Sequence, residues 1–315
     1  MTQTLARPEA PPLEAPPEVP TRRLPSLRRW WRDPWRAPRG LALFTLLYLC
    51  WSLLPVIVAV VFSFNAGKSR SVWQGFSFRW YWRDPNLSVL HDASLHTALT
   101  HTLYLGVVTT AITVPIGVLF ALGIDRWHGR LPSGANFTML LSFVLPEAVL
   151  AVALLFLVTT VQTPLRLGSN AQVLGLVTFQ LSYPVVLVRA RMLTIGKQYE
   201  EAAIDLGATR IGAVRRVLLP MLTPAIFASA VLVFADVIDD FVIVRYLSAG
   251  SDTEPVSVKI YNSARAAPTP ALNALATMLL LASLFAVVIG FMGYRFLSRR
   301  QGSGSGDFNN FADQL

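Results

Sequence analysis

The chain has almost none of the residues that mark a disulfide scaffold or a catalytic centre. One cysteine stands in 315 residues, Cys50, inside an apolar run, so there is no disulfide framework from which to read a redox compartment. The four histidines, His91, His96, His101 and His128, are scattered, and no Cys/His group has metal-ligand spacing, so structural or interfacial roles suit them. No nucleophile–base–metal constellation and no G-x-x-x-x-G-K-[ST] phosphate loop is present. Catalytic residues, a metal site and a cofactor held by this chain are therefore not expected. Charge is also scarce: 14% of residues are charged and 53% hydrophobic, where an average globular chain has about a quarter charged.

The missing charge is missing in blocks. No Asp, Glu, Lys or Arg occurs in 40–67, 93–124, 167–188 or 266–294. The stretch 131–165 is interrupted only by Glu147, and 217–244 only by Asp236, Asp239 and Asp240. Each block exceeds the ~18 apolar residues that cross a hydrocarbon core of about 30 Å. The pattern gives an all-α, polytopic membrane protein with six transmembrane helices, near 41–64, 97–124, 136–162, 172–190, 224–247 and 271–297. Prolines inside these spans (Pro55, Pro115, Pro146, Pro184) are tolerated where neighbouring helices satisfy the freed carbonyls. Gly106, Gly117, Gly123, Ala148, Ala151 and Ala153 suit close helix packing.

The net charge of +9 is a matter of topology rather than of nucleic-acid binding. With the N-terminus inside, nineteen of the 27 Lys and Arg residues fall in cytoplasmic segments and eight outside. Both termini are thus placed in the cytoplasm. Residues 1–38, rich in Pro and Arg, read as a disordered tail whose end, carrying Trp30, Trp31 and Trp35, suits the headgroup layer. The first apolar block begins too far in and is too long for a signal peptide. Residues 39–298 form the membrane domain, and 299–315 a flexible cytoplasmic tail. In the outside segment 65–96, Trp73, Trp80, Tyr81 and Trp82 fit an interfacial anchor.

The inside segment 199–220 is the most informative. Glu200, Glu201, Ala202, Ala203 and Leu206 favour a short helix with acids in its first turn. Gly207 ends it in the left-handed region, and a second basic stretch from Arg210 to Arg216 leads into the next span. Glu201-Ala202-Ala203, Gly207, Val217 (where isoleucine is usual) and Leu219-Pro220 resemble, in residue type and spacing, the EAA loop of binding-protein-dependent ABC importer permeases. Pro146-Glu147, Asp239-Asp240, Lys259-Ile260-Tyr261 and Asn273 to Thr277 are similar to the spermidine/putrescine permease subfamily.

The resemblance covers about residues 40–297 and implies a type I importer permease fold in the inner membrane of a prokaryote. It implies that the loop docks on an ATPase through Glu200, Glu201, Ala202, Ala203, Asp205, Gly207, Leu219 and Pro220. It further implies two ATPase subunits that bind the ATP and Mg, a second permease subunit in a heterodimer, and an extracytoplasmic solute-binding protein. Membrane lipid is a partner and nucleic acid is not. The resemblance implies that the chain itself is a transport subunit and not an enzyme.

Asp236, Asp239 and Asp240 stand at i, i+3 and i+4 and so share one helical face. They lie about 18–24 Å along their helix, where each central Asp costs about 2.5–3.5 kcal/mol. Lipid exposure is excluded for that face. The acids, joined by Glu147, read as the lining of a wet path for a cationic solute such as a polyamine. The competing reading is structural: Asp236 paired with Arg189 or Arg245, or a carboxylate capping a broken helix. Rival functions are an importer permease for another small solute (another amine, a sugar, an organophosphonate) and a standalone proton-coupled amine carrier. The carrier leaves 201–220 without a purpose, and a membrane enzyme has no site to support it.

Overall fold

The computed structural model describes residues 39–69, 72–126, 130–161, 165–266 and 269–300. The tail expected at 1–38, His128 and residues 301–315 lie outside them. Among the described residues the ordered elements are helical apart from a single antiparallel bridge, Asn65 to Phe76. The chain divides between Pro55 and Val56 into two bodies. The first contains the start of α1 (Arg39–Ser63), an apolar helix exposed from Gly40 to Val58, with Trp51 at 76% exposure. A helix apolar and unburied on all sides belongs in lipid.

The second body begins with the end of α1 and an outer loop. Asn65 organises that loop. Its amide donates to the carbonyls of Ser69 and Val72, its Oδ1 accepts from the Gln74 N–H, and its own carbonyl accepts the Trp80 indole N–H. Trp80 and Tyr81, in a π-helical turn over Arg79–Arg83, are buried, while Trp73 and Trp82 are exposed. The expected interfacial anchor is thus divided: two of the four aromatics fill the core and two face outward.

The remaining helices are α2 (Ala93–Arg126), α3 (Arg130–Val144), α4 (Glu147–Thr160), α5 (Ser169–Gln180), α6 (Ser182–Ile195), α7 (Gln198–Asp205), α8 (Arg210–Ala213), α9 (Leu219–Asp239), α10 (Val242–Leu247), α11 (Val256–Ala266) and α12 (Pro270–Arg300). Asp92 caps α2 by accepting the Ser94 and Leu95 N–H groups, which starts the helix earlier than the apolar pattern alone. α5 and α6 run on through Leu181, which is itself helical, and a π-turn over Val214–Leu218 joins α8 to α9.

Among the described residues five stretches are long and apolar enough to cross a membrane: 40–63, 93–126, 169–195, 210–239 and 270–293. The stretch expected as the third span is divided at Leu145–Pro146 into α3 and α4, because Pro146 has no N–H to continue the ladder. The expected fifth span is likewise divided. Asp240 leaves the helix at φ −54°, ψ 132°, and α10 follows as a separate short element. The loop expected at 248–269 contains α11, for which no helical expectation existed.

α2 is the element around which the others are laid. It packs on α9, α6 and α5, while α9 also meets α6 and α12, and α10 lies on α4 and α5. Three apolar clusters follow one another along α2: Leu95 and Leu99 with Trp80 and Leu275, Leu105 with Leu176 and Ile243, then Val114 and Val118 with Val185 and Leu222. Close approach depends on small residues. A Cβ on Gly117 would lie 2.4 Å from Pro184, and one on Gly175 2.8 Å from Ile243 and Leu247. Gly123, expected to serve the same purpose, has open space around it.

Candidate functional site

Two regions carry the candidate residues, one among the membrane helices and one in the segment 199–220. The membrane region is made by two helix breaks. Pro146 ends one helix, and Glu147 opens α4 in its first turn, where the helix dipole favours a carboxylate. Asp240 stands at the second break. Its carboxylate accepts the Val244 N–H at 3.2 Å, in the first turn of α10, and its carbonyl accepts the Ser257 hydroxyl at 2.6 Å.

These breaks bring Glu147 and Asp240 to hydrogen-bonding range of each other, with the charge of Asp236 also acting on Asp240. Two carboxyls at that range repel unless a proton or a cation lies between them. The Oε1 of Glu147 is buried without a hydrogen-bond partner. Asp236 accepts the Gln180 amide from α5, and Tyr183 lies within the field of both Asp236 and Glu147. Asp240 is buried, whereas Asp236 and Asp239 are exposed.

The shared helical face therefore holds for part of the set only. Asp236 and Asp239 remain on α9, while Asp240 turns away with the backbone and meets Glu147. No contact among the described residues ties Asp239 to the cluster. The structural alternatives resolve separately. Arg189 donates to Asn136 and Arg245 lies 3.8 Å from Glu254, so neither pairs with Asp236, whereas a carboxylate does cap a broken helix at Asp240. Gln180 and Tyr183 were not singled out from the sequence. An amide and a phenol inside an apolar block were the available signal.

The cytoplasmic region follows the local sequence closely. α7 carries Glu200 and Glu201 in its first turn and ends in a Schellman arrangement: Ala208 N–H donates to the Ala203 carbonyl and Gly207 N–H to that of Ile204. Gly207 has φ +89°, which a Cβ would disfavour. Thr209 then caps α8 by accepting the Gly212 N–H at 3.1 Å.

Exposure divides the candidate residues here. Glu201, Ala202, Asp205 and Gly207 are exposed, Ala203, Leu219 and Pro220 half-buried, and Glu200 is buried, accepting a hydrogen bond from Arg126. Leu206 and Ile211, 90% and 79% exposed, present an apolar surface between charged neighbours. The described residues contain no group of three or more His, Cys, Asp or Glu that could hold a metal ion.

Residues 113–303 match the model of the family described as the binding-protein-dependent transport system inner membrane component. The chain is 31% identical over 277 residues to the putrescine transport system permease protein PotI of Escherichia coli (strain K12), covering 86% of this chain and 93% of PotI. It is 32% identical over 250 residues to the spermidine/putrescine transport system permease protein PotC of the same strain, covering 78% and 89%. In fold it resembles a chain of a bacterial ABC transporter involved in the import of the acidic polysaccharide alginate, with a TM-score of 0.68 at 15% identity over 87% of this chain and 97% of the other. The all-α architecture of importer permeases, expected from the apolar blocks and the 199–220 loop, is thus present, and the chain belongs to the family of inner-membrane permease components of binding-protein-dependent transport systems.

Proposed function

We propose that this permease moves a polyamine or a similar small cationic solute inward by alternating access. The observation that carries the reading is the meeting of Glu147 and Asp240 at two helix breaks, with Asp236 close by on α9, where no ion pair among the described residues balances their charge and a cation would. Relatives described as putrescine and spermidine/putrescine permeases support the same solute class. Asp239, exposed one turn beyond Asp236, serves as an entry contact.

The energy comes from elsewhere. Two ATPase subunits bind the ATP and Mg, and one of them docks against Glu201, Ala202, Ala203, Asp205, Leu206 and Gly207 of this chain, with Glu200, Leu219 and Pro220 holding that surface on the membrane domain. A second, different permease subunit completes the path, and an extracytoplasmic binding protein delivers the solute. Both termini lie in the cytoplasm, as the distribution of Lys and Arg requires.

The test uses the assembled transporter in proteoliposomes. Binding protein loaded with spermidine or putrescine should stimulate ATP hydrolysis and solute uptake, and a sugar or an organophosphonate should not. Stimulation by those neutral or anionic solutes and not by amines overturns the assignment. Uptake by this chain alone, driven by a proton gradient, would instead establish the carrier reading.

A further inference from the structure

We propose that α2 is a rigid connecting rod between the cytoplasmic coupling helix α7 and the outer side of the permease, and that Arg126 is the positioning residue that fastens the two. The inference rests on the reading of α7 as the ATPase-docking element. It starts from two neighbouring acids with opposite surroundings. Glu201 is exposed, free to meet a partner, whereas Glu200 is 6% exposed and is held by the guanidinium of Arg126.

Arg126 is the last residue of α2, seventy-four positions away from Glu200 in sequence. A cation suits a helix C-terminus, and Asp125, 3.6 Å from the Arg126 Nε, steadies the guanidinium from the other side. An exposed ion pair contributes ~0–1 kcal/mol. This pair is different in placement: its carboxylate is withdrawn from solvent, so the loss of Arg126 leaves a buried charge unpartnered.

From that joint α2 runs unbroken for 34 residues, about 51 Å at 1.5 Å per residue. Its length is gripped by neighbours at close range. A Cβ on Gly106 would lie 2.9 Å from Phe234 of α9, and one on Gly117 2.4 Å from Pro184 of α6. Pro115 removes one bond of the ladder, and the close contacts at Gly106 and Gly117, one on each side of it, hold the helix against bending there.

The outer end is fastened as well. His101 Nε2 and Gln172 Oε1 are hydrogen-bonded at 2.8 Å, and the Thr102 hydroxyl accepts the Val256 N–H at 2.8 Å. The Gln172 amide nitrogen lies 3.1 Å from the Val244 carbonyl, 3.0 Å from the Ser248 hydroxyl and 3.0 Å from the Thr253 carbonyl. Val244 in turn donates its N–H to Asp240. One continuous set of bonds therefore runs from Glu200 through Arg126 and α2 to the segment that carries Asp240. Movement of α7 by a partner is passed along that set to the acid cluster.

Spatial continuity does not by itself establish coupling, so the test measures coupling. In the complete reconstituted transporter, solute moved per ATP hydrolysed is compared for wild type, Arg126→Gln, Glu200→Gln and the exchanged pair Arg126→Glu/Glu200→Arg. Each single variant should lower the ratio about fivefold or more, the lower end of typical site-to-site coupling. The exchanged pair should recover at least half of it, and Gln172→Leu, at the far end, should lower the same ratio.

An unchanged ratio in both single variants overturns the proposal, and so does an exchanged pair as uncoupled as the singles. If a single variant fails to assemble with the ATPase, the exchanged pair decides: assembly and ratio regained together support the rod, and neither regained overturns it. A wild-type complex without binding-protein-dependent transport would fail the docking reading itself, whereas a working wild type with indifferent variants fails the rod alone.

Discussion

The cytoplasmic coupling segment and the intramembrane acid cluster are built on opposite plans. The first occupies some twenty consecutive residues, and nearly every feature of it is set by near neighbours: acids at the start of α7, Gly207 at its end, Thr209 capping α8. The second draws Glu147, Gln180 and Asp236 from three helices and Asp240 from the break that ends α9, and exists because two helices break. A surface offered to a partner has to keep its shape without support from a core, so local hydrogen bonds define it. A site inside a bundle is defined by where the helices stop.

The largest effect expected from this contrast lies on the offered surface. Leu206→Asp combined with Ile211→Asp puts charge on the most exposed apolar positions of the segment. Disrupting the central anchors of an interface costs about 2 kcal/mol or more, so ATPase co-purification should fall at least about tenfold while the membrane domain remains folded. Full retention of the ATPase would remove the partner from that surface and leave the local design without a reason.

Within the membrane, the comparison turns on Asp239 and Asp240, adjacent in sequence and unlike in place. Asp240→Asn removes the charge that faces Glu147 while keeping an Oδ1 to accept the Val244 N–H, and should reduce amine uptake about tenfold. Asp239→Asn, at an exposed carboxylate, should change uptake less than about twofold. Uptake rates at fixed binding-protein concentration separate the two. Equal losses would mean that the helix break does not divide the pair functionally.

These adjacent acids also mark where the sequence stopped being informative. The apolar blocks, the Asp236 and Asp239 part of the acid face and the helix–glycine–helix module were legible because each depends on composition or on spacing within a few residues. The turn at Asp240 was not, since apolar residues continue through Phe241 to Val244 and nothing local ends the helix. The bonds that hold Asp240 come from Ser257 and Val244, and the first of these lies in α11, itself unforeseen. The start of α11 depends on Thr102, 154 residues earlier, accepting the Val256 N–H. Similarly, Glu200 and Glu201 read alike in the chain, and only the distant Arg126 distinguishes them.

A third region tests whether local construction alone stabilises without a partner. In the outer loop, Asp84 Oδ1 accepts the N–H groups of Asn86 and Leu87 at 3.1 and 3.0 Å, and Oδ2 accepts the Arg79 Nε–H at 2.8 Å. The Asn86 N–H first, and then Arg79, hold the Asp84 carboxyl below its ordinary value of 3.8, against the opposing effect of burial. A carboxyl depressed in the folded state contributes stability that is complete above its unfolded value and lost as pH falls through the folded one. Wild type and Asp84→Asn should therefore differ most near neutral pH, by no more than about 2–4 °C in melting temperature. The difference should narrow only as pH drops below about 4, the ordinary carboxylate range. Thermal unfolding of the detergent-solubilised protein across pH reads this directly. A difference that stayed constant down to the lowest pH would show that the amide substitution acts through shape. A difference that vanished near pH 6 would place the stabilising titration on another group.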